Sequence, residues 1–386
     1  METKTVDSDL VIELTRDLIR FPTVNPPGNE LPAAEYLAQR MRDLGLEVEV
    51  QVLEDNRANV IGRLKGTGQG HLVFTGHIDV VPPGGTQWRY PPFQAEMVGD
   101  RIYGRGSADM KGGVAAIVTA LAALAGSGFQ PAADVIAAIT YGEEAGMTGA
   151  KGMVAKRSLE GSRYLVVAEP SDLGVYIGEK GVLWIRVRAR GRTAHGSMPH
   201  LGVNAVSYLA RLIPELEAYP FPFQESELLG RPTLSVNVIS GGNKTNVVPD
   251  LAEIEIDMRT VPGQNHQRMA RQIRDMAEEL GREFHPELSV EVEIAEEKGA
   301  LETPADEPLV GAAVEAVAAV LGHRPEPGGV PYGTDAAYLG PGFAIPMVIL
   351  GPGAAGMAHQ PDEWVDTKQL VQAAEIYMDL ARKLLG

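Results

Sequence analysis

Residues 72–85 read LVFTGHIDVVPPGG and residues 100–113 read DRIYGRGSADMKGG. The first is an apolar run ending in His77-Ile78-Asp79, and the second sets Asp109 just ahead of Gly112-Gly113 and a long Ala/Leu/Val stretch. Side chains alternate faces along a strand, so His77 and Asp79 are expected on one side, able to hydrogen-bond or to share a site. An imidazole whose second nitrogen is held by a carboxylate is the usual arrangement of a metal-bound histidine. The stretch therefore reads as a strand that delivers a metal ligand.

Other apolar runs end the same way. DVIAAITY (134–141) leads into Gly142-Glu143-Glu144, YLVVA (164–168) into Glu169-Pro170, and AIPMVIL (344–350) into a Gly-rich segment carrying His359. Ligands of open α/β sheets bind beyond the carboxyl ends of the strands, so these residues are expected to converge. The remaining pattern fits such a layered fold. Helices are expected over 9–20, capped by Asp7 or Ser8, over 30–44, stopped by Gly45, over 113–126 and over 366–385, with strands at 47–53 and 59–64.

Between 181 and 295 the pattern changes to strand 182–190, helix 203–218, strands 233–239 and 252–258, helix 264–281 and strand 288–294. That is the βαββαβ order of a ferredoxin-like domain. The expectation is an α/β protein whose three-layer catalytic domain, with a mostly parallel mixed sheet, comprises 1–178 and 298–386. A lid of residues 179–297 would be inserted into it, hinged at GEKG (178–181) and EEKGA (296–300).

Composition narrows the chemistry. The chain has 386 residues and 44% apolar content, which suits folded domains rather than disorder. With 34 Lys and Arg against 51 Asp and Glu the net charge is −17, which disfavours nucleic acid as a partner. Cysteine is absent, so any metal must be held by nitrogen and oxygen. The N-terminal METKTVDSDLVIELTRD shows no apolar core after a basic start, and no apolar run is expected to approach the ~20 residues of a membrane span. A cytoplasmic protein without membrane contact is expected.

His77, Asp109, Glu144, Glu169 and His359 offer two nitrogens and three carboxylates, a set suited to two divalent ions with one carboxylate bridging, zinc being the default. Each alone could be a satisfied turn residue; the combination at strand ends favours metal. Glu143, beside Glu144, is available for proton transfer unless both belong to a solvated acidic loop. Asp79 reads as the partner of His77. His195 and His200 stand just before a helix of the lid, where turn formation accounts for His200. Arg259 offers a planar fork for a carboxylate or a strand-end salt bridge. Trp88, Tyr90 and Phe93 read as loop packing or a substrate rim. No phosphate loop, G-x-S-x-G elbow or H-E-x-x-H helix is present.

In order along nearly the whole chain, GHIDVVPPGG, GRGSADMKGG, YGEEAG, AEPS, AHGSMPHLGVNA, GGNKTNVVPD, DMR and AHQPDE resemble the dinuclear zinc hydrolases that include acetylornithine deacetylase, succinyl-diaminopimelate desuccinylase, aminoacylases and related carboxypeptidases and dipeptidases. The resemblance implies that Asp109 bridges two metals, most readily Zn2+ with Co2+ or Mn2+ as substitutes. His77 and Glu169 would complete one and Glu144 and His359 the other. It implies Glu143 as general base, Asp79 as the partner behind His77, and His195 reaching a neighbouring subunit's site in a homodimer formed through the lid. Asn246, Arg259, Gly333 and Thr334 match positions that hold the substrate. The expected activity is amide hydrolysis of N-acyl amino acids, with dipeptides, C-terminal peptide bonds or succinyl-diaminopimelate as alternatives. Glu179-Lys180 replaces the basic pair found in desuccinylases, which weakens the last of these. A non-catalytic relative would be expected to have lost a ligand or the base, and none is missing.

Overall fold

The computed structural model describes residues 6–386, so the first five residues of the N-terminal stretch read for a targeting signal lie outside the described residues. Among those described, residues up to Gly178 join Glu302–Gly328 and Thr334–Gly386 in a larger compact unit, while Glu179–Leu301 and Gly329–Gly333 form a smaller one. The border expected at 297/298 moves to 301/302. The strand Ser289–Lys298 keeps pairing to its end, with Lys298 opposite Val182, and so stays with the smaller unit.

Among the described residues, seven of the nine strands of the main sheet lie in the order Glu47–Glu54, Arg57–Leu64, Ala133–Thr140, Gly68–His77, Ser162–Val167, Met347–Ile349 and Tyr176–Glu179. The middle four are mutually parallel, and the flanking pairs are antiparallel. Parallel neighbours need a crossover, supplied by Gly112–Gly126 after Gly68–His77 and by Thr148–Ala155 after Ala133–Thr140. Every residue of Ala133–Thr140 is buried, as expected for a sheet covered on both faces. The register is level at the carboxyl end: His77 lies opposite Thr140, and Thr75 opposite Val167, which pairs with Ile349.

The helices follow their caps. Ser8–Ile19 begins where Asp7 Oδ1 accepts from the Asp9 and Leu10 amides, and Thr367–Leu385 where Asp366 accepts from Lys368. One expectation is corrected: Ser107–Gly126 is a 20-residue helical stretch apolar enough, by length and composition, to cross a membrane. The sequence pattern places the helix over 113–126, and the structure adds the turn from Ser107 that carries Asp109 and Lys111. In the fold, 83% of its apolar window is buried, packed against Ser8–Ile19 and Thr367–Leu385 as a core helix.

The smaller unit has four antiparallel strands in the order Thr233–Gly241, Leu251–Thr260, Gly181–Arg190, Ser289–Lys298, which is the ferredoxin-like arrangement. Alternation in VLWIRVRAR sends Leu183, Ile185, Val187 and Ala189 into a core with the helices Ala205–Ala218 and His266–Phe284. Trp184, Arg186, Arg188 and Arg190 take the other face, where Glu253, Glu255 and Glu291 pair with the arginines.

Candidate metal centre

The four parallel strands bring their following residues together. His77 ends the first; Glu143 and Glu144 follow the second; Glu169 comes two residues after Val167; and the segment after Ile349 leads to His359. Asp109 sits in the kinked turn Ser107–Lys111 that precedes Gly112–Gly126, with non-helical φ −118° and ψ 95°. Two close approaches set Glu169: a Cβ at Gly113 or Gly351 would fall 2.2 or 2.3 Å from the Ala168 carbonyl oxygen, so only glycine lets both segments close on this strand end.

Donor atoms of His77, Asp109 and Glu169 lie within 4.8 Å of one another, and so do those of Asp109, Glu144 and His359. His77 Nε2 is 3.2 Å from Asp109 Oδ1 and 3.6 Å from Glu169 Oε1. On the other side, His359 Nε2 is 3.3 Å from Asp109 Oδ2 and 3.2 Å from Glu144. Asp109 thus presents one oxygen to each cluster. Metal–ligand bonds of ~2.0–2.2 Å in a tetrahedron put neighbouring donors roughly 3.3–3.6 Å apart, so the spacing of these pairs suits divalent ions.

Electrostatics agree. Burial works against protonation of His77, but Asp109, Glu169, Asp79 and Glu143 outweigh it and hold the imidazole well above its usual range. Hydrogen bonds to Asp109 and Glu144 push His359 up to about 10. Burial, reinforced by the Asp109 charge, raises Glu144 and Glu169. Burial opposes ionisation of Asp109 too, yet hydrogen bonds from His359 and His77 hold it below the carboxylate range. Crowded buried carboxylates that draw protons onto every nearby base form a pocket that calls for concentrated positive charge.

Asp79 is placed differently from the expectation. The strand stops at His77, so Asp79 lies beyond it. His77 Nδ1 is hydrogen-bonded to the Asp79 backbone carbonyl at 3.0 Å, while the carboxylate Oδ1 stands 3.6 Å away. That carboxylate accepts from the backbone amides of Glu143 and Glu144, each at 3.1 Å, and from Asn25 Nδ2 at 2.8 Å. Asp79 therefore fixes the turn that carries the adjacent glutamates. Glu143 is 8% exposed, with Oε2 4.0 Å from His77 Nε2. Asn25 escaped the sequence reading; its only signal was a break between two helices.

In the smaller unit, a short ribbon pairs His195 with Val247 and so sets it beside Asn246, both exposed. His195 Nδ1 accepts from the Ser197 amide at 3.1 Å, which leaves Nε2 to carry the proton of the neutral ring. His200 falls in the turn Pro199–Leu201. Arg259 forms the salt bridge with Asp257, at 2.9 and 3.0 Å. Gly333 belongs to the smaller unit and Thr334 to the larger, where its hydroxyl accepts from the Ala336 amide. In the aromatic loop, Trp88 Nε1 donates to Pro83 O, and the Tyr90 ring packs 4.2 Å from that of Tyr103 in the strand Arg101–Tyr103.

The sequence profile of peptidase family M20/M25/M40 matches residues 73–383. The chain belongs to this family. An acetylornithine deacetylase of Aliivibrio salmonicida is 31% identical over 337 residues, 85% of each chain. A probable succinyl-diaminopimelate desuccinylase of Staphylococcus aureus is 27% identical over 97% of each. Among solved structures, a tripeptidase from Staphylococcus aureus superposes with a TM-score of 0.81 at 24% identity, covering 98% of this chain and 100% of that one. A dinuclear metal binding peptidase of the M20 family from Bacillus subtilis gives 0.77 at 18%, with 98% of each chain covered. These two likenesses carry the fold. Membership in the M20 family makes the chain a metal-binding hydrolase of the peptidase and amidohydrolase class.

Proposed function

We propose that this M20 hydrolase removes the acyl group from N-acyl amino acids, in the manner of an acetylornithine deacetylase, with two divalent ions, zinc by preference. The observation that carries the reading is Asp109, with one oxygen 3.2 Å from His77 and the other 3.3 Å from His359, together with Glu143 Oε2 4.0 Å from His77. His77, Asp109 and Glu169 would hold one ion, and Asp109, Glu144 and His359 the other. Bound there, the ions would polarise a carbonyl and lower the pKa of water from ~15.7 toward ~7. Glu143, fixed through its amide by Asp79, takes the proton of the attacking water and returns it to the leaving amine as the C–N bond breaks. His195, its Nε2–H set by Ser197, donates to the carbonyl oxygen as negative charge develops there. Asn246, Arg259, Gly333 and Thr334 orient the substrate, and Arg259 exchanges Asp257 for a substrate carboxylate.

A cytoplasmic homodimer joined through the smaller unit belongs to this reading. Exposed Trp184, Leu201, Val238, Ile239 and Leu251 all lie in that unit, and Thr233–Gly241 is an edge strand. Glu179-Lys180, in place of a basic pair, favours a substrate less anionic than succinyl-diaminopimelate. The test is metal analysis followed by amine release from N-acetylornithine, other N-acyl amino acids, succinyl-diaminopimelate and dipeptides. Preference for an N-acyl amino acid, lost with chelation and regained with Zn2+ or Co2+, is expected. Turnover of dipeptides alone would overturn the deacylase reading.

A further inference from the structure

Glu363 is fully buried four residues beyond His359, and its side chain reaches back to the segment that carries Asp109. Oε1 accepts from the backbone amides of Ala108 and Asp109, at 2.9 and 3.0 Å. Oε2 accepts from Arg105 Nη1 at 2.6 Å. Arg105, itself 2% exposed, spreads its fork over the other loop: Nη1 donates to Gln360 O at 3.2 Å and Nη2 to His359 O at 3.3 Å. The Gly104 amide donates to Glu363 O at 2.9 Å. One carboxylate and one guanidinium thus fasten the segment 104–109 to the segment 359–363.

The consequence is unequal for the two clusters. His77 and Glu169 are anchored by strands of the sheet, Gly68–His77 and Ser162–Val167. His359 lies ten residues past the end of the strand Met347–Ile349, its side chain is 52% exposed, and its φ of +64° is a left-handed conformation that strains a non-glycine residue. Its carbonyl accepts from Arg105, and Arg105 is held by Glu363. A buried ion pair tolerates loss of one partner poorly, because the other is left charged and unpaired.

We propose that Arg105 and Glu363 are positioning residues which set the divalent-ion affinity of the Asp109/Glu144/His359 cluster, while the His77/Asp109/Glu169 cluster depends on them far less. The proposal rests on the two-ion reading above. Neither side chain offers an atom to an ion; each acts through backbone groups on Asp109 and His359. Partners standing behind metal ligands typically govern metal affinity by about 10–100-fold.

The experiment is a Co(II) titration of the metal-free full-length protein, followed by calorimetry and visible absorption, for wild type, Arg105→Lys, Glu363→Gln and His359→Ala. His359→Ala identifies which of the two equivalents belongs to its cluster. Arg105→Lys keeps the charge but not the fork, and carries the test if Glu363→Gln does not fold. The expected result is that the equivalent lost in His359→Ala is weakened about 10–100-fold in the clamp variants, with the other equivalent at its wild-type affinity. Unchanged affinities in a folded clamp variant, or equal weakening of both equivalents, would overturn the clamp alone. Uptake of a single Co(II) by wild type would end the two-ion reading and the clamp with it.

Discussion

At the scale of residues, the separate duties of neighbouring glutamates can be tested directly. Glu144 lies 3.2 Å from His359 in a donor cluster, whereas Glu143 Oε2 stands 4.0 Å from the other imidazole. Replacing Glu143 by alanine should leave two metal equivalents bound while turnover falls by about 10² to 10⁴, the usual weight of an acid/base group. Metal analysis and steady-state kinetics on one preparation decide it; turnover within a few-fold of wild type would remove Glu143 from the reaction. The candidate donors were legible because four of them, His77, Glu144, Glu169 and His359, come after apolar runs, while Asp109 stands just ahead of one. Asp79 was legible as a site residue but not in its task, since binding the Glu143 and Glu144 amides requires two strand ends to meet. Asn25 and the Arg105–Glu363 pair were not legible, because their partners are distant in sequence.

At the scale of elements, close approach matters more than propensity. The core helix Gly112–Gly126 would gain helix propensity from Gly113→Ala, roughly 0.8–1 kcal/mol. The new Cβ would stand 2.2 Å from the Ala168 carbonyl, however, and overpacking of this kind costs about 1–3 kcal/mol. The strand end beside Glu169 has to shift, so we expect a lower Tm together with weakened metal binding, measured by thermal unfolding and metal titration. A stabilised variant with normal metal content would show that the segment yields freely.

The strand Gly68–His77 also carries a histidine near its other end. His71 is buried, accepts the Asp134 amide at Nδ1, and is pushed below its usual pKa by burial, helped by Arg63 and Lys65 and opposed by Asp134. The unfolded chain then binds the proton more readily, so the contribution of neutral His71 is complete above pH ~6.5 and is lost as pH falls through the folded-state pKa. The stability difference between wild type and His71→Gln in urea unfolding should shrink from about pH 7.5 to about pH 5. A constant difference would place His71 at its ordinary value. Among elements, the long helices and alternating strands were read within a few residues. Pro308–Leu321 was not assigned, since PLVGAAVEAVAAVL is apolar on nearly every side and shows no stripe.

At the scale of the whole molecule, the assembly carries a prediction of its own. If His195 completes the site of a neighbouring subunit, mixing His195→Ala with Glu143→Ala should restore up to about a quarter of the wild-type sites under random subunit exchange. Activity assays after mixing under mild dissociating conditions measure this, and no recovery despite demonstrated exchange would confine each site to one chain.

The family, the layered α/β plan, the inserted ferredoxin-like order and the five donor residues were all determined by the sequence, because hydrophobic period and chemically special residues are local properties of a chain. The level register of four parallel strands, the donor spacing of 3.2–3.6 Å, the Asp79 bond to the glutamate turn and the Arg105–Glu363 clamp were decided only in the tertiary structure. Distances between residues far apart in sequence are set by how strands align and loops close, and hydrophobic pattern carries no record of them.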